Sequence, residues 1–216
     1  MIDAAGRADA GAYLVRLVRL DPAALVRLRP AAGATEMWAR LPFDVLATRR
    51  LRSSLTADVT VAAADLLAGL EKCPSEEGGS DPGELPRRDT EWRWALPPGR
   101  GTAVERIPAV ELIRVAAAAS RTLRTAAEEG VGGRAVGQRM LRDALLDHVP
   151  IVVTSDTGER VDVPQRMVQG LVRMGFLGSV TAGDNSVTVR LAMGWIGIDG
   201  SYGSAWYRPI APLRLG

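Results

Sequence analysis

The sequence contains one cysteine and one histidine among its 216 residues, and Lys72 is its only lysine. A single cysteine excludes an internal disulfide framework and is typical of a reducing compartment. Zinc and redox-metal sites need clustered histidine, cysteine or carboxylate ligands. With so few of these ligands, we predict neither a metal nor another cofactor.

Long hydrophobic runs are also missing. A membrane-spanning helix needs about 20 consecutive apolar residues, and the most apolar stretch near the N-terminus, Tyr13 to Leu20, is interrupted by Arg16 and Arg19. This interruption argues against a secretory signal, so we expect a cytoplasmic protein with no membrane partner. Apolar residues still make up 47% of the chain, which is typical of a globular protein.

Positive charge is not concentrated in any block of the sequence. The net charge is +2, although the sequence pI is about 9.1. A protein that binds nucleic acid mainly through electrostatics gathers its basic residues on one surface. Any nucleic-acid binding is therefore expected to be modest or tightly localised.

The first half, residues 1–100, is predicted to be a small antiparallel sheet with helices. Its apolar spacing and turn residues predict a helix over Gly11–Leu20, a meander of strands over Ala24–Arg29, Thr35–Leu41 and Phe43–Arg50, and a second helix over Val59–Leu70. In the meander, alternation places apolar side chains on one face and charged side chains on the other.

A change of composition follows the second predicted helix. Residues 73–89 are rich in Pro, Ser, Gly, Glu and Asp, and we predict a disordered surface loop there. Glu91–Ala95 alternates tryptophan with charged residues and is expected to add a strand to the first sheet. Trp92 and Trp94 would then share one face, either as core residues or as a stacking platform for bases.

The second half, residues 101–216, is predicted to be mainly helical before it ends in strands. Its periodic segments predict helices over Pro108–Glu129, Arg134–His148 and Pro164–Met174. Asp162 is expected to cap the third of these helices. Residues 150–163 have the pattern of a strand, a turn and a strand, with a helix as the alternative.

The end of this half resembles a winged-helix module. Leu171–Leu177 is similar to the end of a recognition helix. It is followed by a turn at Gly183-Asp184-Asn185 and a strand at Val187–Val189. Asp199-Gly200 then indicates a hairpin turn, with Ser204–Arg208 as the returning strand. The resemblance implies an α+β fold in which a helical segment is followed by a winged-helix-like β-hairpin.

A DNA-binding winged helix reads bases with its recognition helix and touches phosphates with its wing. The resemblance therefore implies nucleic-acid contacts for Gln165, Arg166 and Gln169 at base edges and for Arg173 and Arg190 on the backbone. The alternative is that the three helix residues are ordinary solvated positions. The stretches Gly132–Arg139 and Gly194–Ile198 also resemble uncharacterised conserved proteins of high-GC actinobacteria.

Three classes of function follow. The leading hypothesis is a non-enzymatic binding protein whose second half contacts duplex nucleic acid or a regulatory protein. The alternative is a scaffold that forms a homodimer through the alanine-rich helix, residues 108–129. An enzyme acting through Asp156, Glu159 and Asp162 ranks last, because no nucleophile, base and orienting group can be assembled from the sequence. We also expect the glycines of Gly194–Gly200 to form a hairpin, since a dinucleotide loop requires a following helix.

Overall fold

The chain divides into two units, Met1–Leu96 and Pro97–Gly216, in the computed structural model of the protein. The structure describes residues 4–52, 55–72, 84–129, 138–178 and 185–209. Both units combine helices with antiparallel strands, so the α+β class is confirmed. Cys73, most of the predicted loop, Gly132–Gly133 and the Gly183-Asp184 turn lie outside the described residues.

Among the residues that the structure describes, the first unit has two helices, four strands and a short 3₁₀ turn. Its elements are α1 (Ala4–Leu20), β1 (Leu25–Ala31), β2 (Ala34–Arg40), β3 (Leu46–Leu51), β4 (Val59–Ala62), α2 (Ala63–Lys72) and the 3₁₀ turn Asp89–Glu91. The strands are ordered β4-β1-β2-β3 and every pairing is antiparallel.

Helix α1 begins well before the predicted start at Gly11. Ala10 is buried along with Tyr13 and Leu14, so the packed part of the helix includes residues before Gly11. The Tyr13 hydroxyl donates to the Ala47 carbonyl at 3.0 Å. Burial raises the pKa of this phenol far above its usual range, although the nearby Arg49 opposes that shift.

The predicted meander is confirmed. β1 pairs with β2 and β2 pairs with β3, with Leu28 opposite Met37 and Met37 opposite Arg49. Val26, Leu28 and Met37 are at most 2% exposed, while the alternate arginines on the other face stay accessible. Alternation therefore fixed the buried face of this sheet correctly.

The predicted helix over Val59–Leu70 is wrong in its first turn. Val59–Ala62 is a strand that pairs with β1, and α2 starts only at Ala63. Val59 lies opposite Leu28 and Val61 opposite Val26. Valine and threonine favour extended backbone when a neighbouring strand is available, and here the tertiary partner decides against the helical periodicity.

The predicted strand over Glu91–Ala95 is also absent from the structure. The chain makes the 3₁₀ turn and then runs without strand pairing. Trp92 is buried and its Nε1 donates to the Trp94 carbonyl at 2.8 Å. The two rings meet edge to face, with centroids 5.2 Å apart, and the burial of Trp92 agrees with the core alternative and not with a stacking platform for bases.

The second unit contains three helices and six strands among its described residues. They are β5 (Thr102–Pro108), α3 (Ala109–Glu129), α4 (Gln138–Asp147), β6 (Ile151–Thr154), β7 (Arg160–Val163), α5 (Gln165–Met174), β8 (Ser186–Ala192), β9 (Trp195–Gly200) and β10 (Gly203–Tyr207). One sheet has the order β10-β9-β8-β5, and β6 and β7 form a separate pair.

Residues 150–163 form an antiparallel hairpin, with Ile151 opposite Val163 and Thr154 opposite Arg160. A helix–turn–helix needs a helix directly before its recognition helix, and this hairpin occupies that place before α5. The winged-helix expectation is therefore corrected: β8, β9 and β10 form one antiparallel sheet with β5, a strand that the sequence pattern did not predict.

Asp162 does not cap α5. It lies inside β7 and accepts a hydrogen bond from Arg160 at 2.7 Å, while the residue at the helix N-cap is Pro164 without a side-chain cap. The hairpin of β9 and β10 is confirmed, but β9 continues through the predicted Asp199-Gly200 turn and the chain turns at Ser201 and Tyr202.

Candidate nucleic-acid interface

The start of α5 was predicted to face base edges, but Gln165 is only 1% exposed. Its backbone N–H donates to the His148 carbonyl at 2.8 Å. Its side-chain Nε2 has no hydrogen-bond partner among the residues that the structure describes. Gln165 therefore lies within the packed start of the helix and cannot reach a nucleic acid without rearrangement.

Arg166 is engaged within its own unit. Its guanidinium forms an ion pair with Asp147 at the end of α4. The same group lies over the Tyr207 ring of β10, 5.1 Å from the centroid. The side chain is 13% exposed, so Arg166 connects α4, α5 and β10 and presents little surface to a partner.

Arg190 is likewise engaged in the sheet. Its Nε donates to Asp199 Oδ2 at 2.5 Å, and Ser204 donates to the other oxygen of the same carboxylate at 2.7 Å. The Arg190 and Asp199 side chains are 21% and 23% exposed. This pair joins β8 to β9 diagonally, since Arg190 lies opposite Gly197 and Asp199 lies opposite Thr188.

The remaining two residues of the predicted set are accessible. Gln169 is half-buried and Arg173 is exposed, and exposed Val172 lies beside them on α5. The helix ends at Gly175, whose left-handed backbone (φ 68°) caps it through bonds to the Leu171 and Val172 carbonyls. Of the five residues predicted to contact nucleic acid, one is buried, two are paired within the chain and two are accessible: Gln165, then Arg166 and Arg190, then Gln169 and Arg173.

Helix α3 presents a different basic surface. Leu112, Ala116 and Ala119 are buried, and α3 packs against α5. Because that alanine-containing stripe is occupied within the chain, it is not the free dimer face that was expected for residues 108–129. The opposite side of the helix is exposed and carries arginines, which we call the α3 arginine face: Arg114, Arg121 and Arg124.

The side chains of the α3 arginine face differ in their partners. Arg114 donates to Glu111 at 2.6 Å, one turn earlier in the helix. Arg121 and Arg124 contact no carboxylate among the residues that the structure describes. Between them lie short side chains, including exposed Ala117, Ala118 and Thr122. Helical periodicity places these arginines away from the buried stripe, but it gave no reason to prefer them over the arginines of α5.

Of the carboxylates considered for catalysis, Asp156 and Glu159 lie in the turn of the β6–β7 hairpin and Asp162 lies within β7. Asp156, Glu159 and Asp162 are all exposed, and Asp162 is paired with Arg160. Within the described ranges, no group of three His, Cys, Asp or Glu side chains is placed to hold a metal ion. His148 is exposed just after α4, where its backbone N–H bonds to carbonyls of the last turn.

Two glycines of the Gly194–Gly200 stretch allow close packing. A Cβ atom on Gly197 would lie 2.6 Å from the Trp206 ring, which is the cross-strand neighbour. A Cβ on Gly200 would lie 2.5 Å from the Phe176 carbonyl oxygen. On β10, Trp206 lies opposite Gly197 and not opposite Trp195.

No helix of the described ranges is both long enough and apolar enough to cross a membrane.

Comparison with solved structures identifies the class of fold, which resembles that of DNA polymerase III β subunits, the bacterial sliding clamps. The Pseudomonas aeruginosa subunit matches with a TM-score of 0.54 at 13% identity, over 94% of this chain and 63% of that one.

Two further structures agree. The Caulobacter crescentus β subunit gives a TM-score of 0.55 at 14% identity, over 94% of this chain and 63% of that chain. A putative β subunit from Eubacterium rectale ATCC 33656 gives 0.61 at 8% identity, over 97% and 63%. The chain thus spans a little under two thirds of the length of these proteins, and at such identities the likeness shows the fold alone.

The particular family follows from sequence. Residues 96–212 match the family model described as Domain of unknown function (DUF8185), and the chain belongs to this family. Residues 1–94 match a second model, Domain of unknown function (DUF8010). No curated protein matches the chain.

Proposed function

We propose that this protein is a non-enzymatic binding protein that associates with duplex DNA, and that the α3 arginine face contacts the phosphate backbone. The observation that carries the proposal is the exposure of Arg114, Arg121 and Arg124 on one side of a 21-residue helix. The fold supports it, because the similar solved proteins are by name DNA polymerase sliding clamps.

The α3 arginine face suits phosphate contact without base reading. Arg114 and Arg121 are seven residues apart, which is about 10 Å along a helix axis, so both guanidinium groups can reach one duplex. Short side chains between them leave room for the backbone to approach. Guanidinium groups bind phosphate oxygens in a bidentate manner. Since such contacts carry no sequence information, we expect binding to be independent of sequence.

Fluorescence anisotropy of a labelled 30-base-pair duplex across a salt series tests the proposal. Each neutralised phosphate contributes about 0.9 to the slope of log affinity against log salt. Replacing Arg114, Arg121 and Arg124 with glutamine should therefore flatten this slope by about 2.7 and lower the affinity at low salt about tenfold or more. Circular dichroism should show an unchanged fold, because all three side chains are exposed.

A matched control removes the same charge elsewhere. Arg50, Arg52 and Arg93 are exposed and lie outside the helices of the first unit. Their replacement by glutamine should change the slope much less than replacement of the α3 arginine face. Equal losses from both triple variants, or no binding by the wild type at low salt, would contradict the proposal.

A second candidate is a protein-interaction scaffold that forms a homodimer. The observation that favours it is β5, which lies at the end of the second unit's sheet and has exposed side chains at most of its positions. An edge strand offers backbone groups to a strand of another chain. Light scattering tests this function directly: a monomer at every concentration from micromolar to millimolar would remove it.

A further inference from the structure

The turn between β8 and β9 has an unusual residue at its tip. The strands pair in register up to Ala192 and Trp195, which leaves Met193 and Gly194 as a two-residue turn. Both have positive φ, 43° and 81°. Turns of this kind favour Asn-Gly, because most side chains are strained at positive φ.

Met193 is also the most exposed of the large hydrophobic side chains described, at 85%. The other non-glycine residue with positive φ, Asp44, belongs to a type that tolerates this backbone. Met193 therefore combines a strained backbone with an apolar side chain in water. Asparagine at this position would relieve both costs, and a residue that keeps both is a candidate for function.

Positively charged side chains flank the tip on both sides. Arg208 lies over the Trp195 ring, 6.0 Å from its centroid, and Trp195 is the partner of Ala192 next to the turn. On the other side, Gly101 packs so tightly on the Leu191 backbone that a Cβ would lie 2.3 Å from its carbonyl oxygen. This contact brings exposed Arg100 to the same end of the sheet.

The base of the tip is rigid and its charge is unbalanced. Ala192 and Trp195 are each 8% exposed, so the two strands hold the turn in one position. Asp199, the carboxylate of the neighbouring strand, is already paired with Arg190. Neither Arg100 nor Arg208 contacts a carboxylate among the described residues. The hairpin end is thus an apolar point between two cationic side chains.

We propose that Met193 is a wedge that inserts between base pairs of a duplex while Arg100 and Arg208 contact the flanking phosphates. This inference rests on the proposed function, since it assumes that the partner is duplex DNA, and it adds a second contact that is separate from the α3 arginine face. Apolar side chains that wedge between base steps unstack and kink DNA, and methionine is among the residues used. The flanking guanidinium groups provide the charge complementarity.

The test uses the full-length protein and two labelled 20-base-pair duplexes, one fully paired and one with a central mismatch. Unstacking costs less at a mismatch, so the wild type should prefer the mismatched duplex and bend it, as measured by energy transfer between end labels. Met193→Asn should reduce that preference about fivefold or more and abolish the bending. Its melting temperature should be equal to or higher than that of the wild type, which separates loss of the wedge from loss of the fold.

Met140→Asn is the matched control, because Met140 on α4 is 68% exposed and lies in a helix. It should bind both duplexes as the wild type does. If Met193→Asn also binds as the wild type does while the α3 triple variant loses affinity, the wedge is overturned and the proposed function stands. If no variant and no wild type binds either duplex, both fail. Binding of the wild type only to vesicles of phosphatidylglycerol and phosphatidylcholine, with loss in Met193→Asn, would overturn the wedge in favour of a membrane contact.

Discussion

The sheet of the first unit and helix α3 of the second unit use arginine in different ways. On the sheet of the first unit, Arg27 and Arg29 both contact Asp58, at 2.8 and 3.3 Å, and Arg40 pairs with Asp44. On α3 of the second unit, Arg121 and Arg124 contact no carboxylate among the described residues. The two elements therefore differ in whether their arginines have carboxylate partners, and an arginine without such a partner remains available to another molecule.

The units also differ in how their strand edges are finished. On β4, both backbone groups of Thr60 form hydrogen bonds within the chain. The N–H donates to Asp89 Oδ1 and the carbonyl accepts from the Arg88 N–H, both at 2.7 Å. β5 of the second unit is an exposed edge whose register shifts between Ala103 and Glu105. A bulge and charged residues on an edge strand discourage indiscriminate pairing.

The largest expected effect comes from filling the tight glycine contact of the second unit. Gly200→Ala should lower the free energy of unfolding by about 1–3 kcal/mol, because the new methyl group meets the Phe176 carbonyl oxygen, a backbone atom that cannot rotate away. Urea denaturation followed by circular dichroism measures the loss.

Gly11→Ala in the first unit is the matched control for that prediction. Its Cβ would meet nothing within 4 Å and the residue lies inside α1, so alanine should raise stability by about 0.5–1 kcal/mol. Opposite signs for these two glycines would sharpen the contrast between the units. A loss of stability in both variants would contradict the expectation that Gly11 has room for a methyl group.

A smaller effect is expected from breaking the paired arginines of the first sheet. Asp58→Asn removes the charge that Arg27 and Arg29 share, and all three side chains are roughly one third exposed or more. Ion pairs in such positions contribute about 0.2–1 kcal/mol, so we expect a loss in the lower part of that range. The same variant should bind duplex DNA slightly more tightly, because two arginines become available. Unchanged binding would contradict the proposal that pairing with a carboxylate keeps an arginine from contacting DNA.

The smallest effect concerns acid. Desolvation raises the pKa of the Asp89 carboxyl, but hydrogen bonds from Arg87 and Thr60 outweigh it and hold the pKa below the ordinary value of 3.8. The stabilisation is therefore fully present above that value and is lost as the pH falls through the lower, folded-state pKa. The protection of the Thr60 amide, measured as its exchange rate relative to the intrinsic rate at the same pH, should therefore fall in the wild type as the pH drops below 3.8. In Asp89→Ala the amide should exchange rapidly at every pH, and an unchanged rate would contradict the role of this bond.

Local patterns were sufficient where a single neighbour decides the structure. Alternation identified β1, β2 and β3 together with their buried face, and helical spacing identified α3 with Leu112 and Ala116 inward. Patterns failed where a distant strand intervenes. Val59–Ala62 reads as helix in isolation but pairs with β1, and β5 has no clear alternation of its own because most of its side chains are exposed.

The candidate site was predictable only in part. The sequence indicated that Arg114, Arg121 and Arg124 lie opposite the apolar stripe of α3, and the structure places them there. It could not show that Arg166 is engaged by Asp147 and Tyr207, since these residues come from other elements. Whether an arginine is available depends on partners that are distant in the chain.

The sequence by itself determined the α+β class, the first meander and the apolar face of α3, whereas it left residues 150–163 open between a hairpin and a helix. These features follow from side-chain periodicity and turn residues, which act over a few positions. Only the tertiary structure decided that Gln165 is buried, that Arg190 belongs to Asp199, and that the turn after β9 moves beyond Gly200. Burial and pairing depend on elements that come from distant parts of the chain. Local periodicity does not predict which of these elements will pack against a given residue.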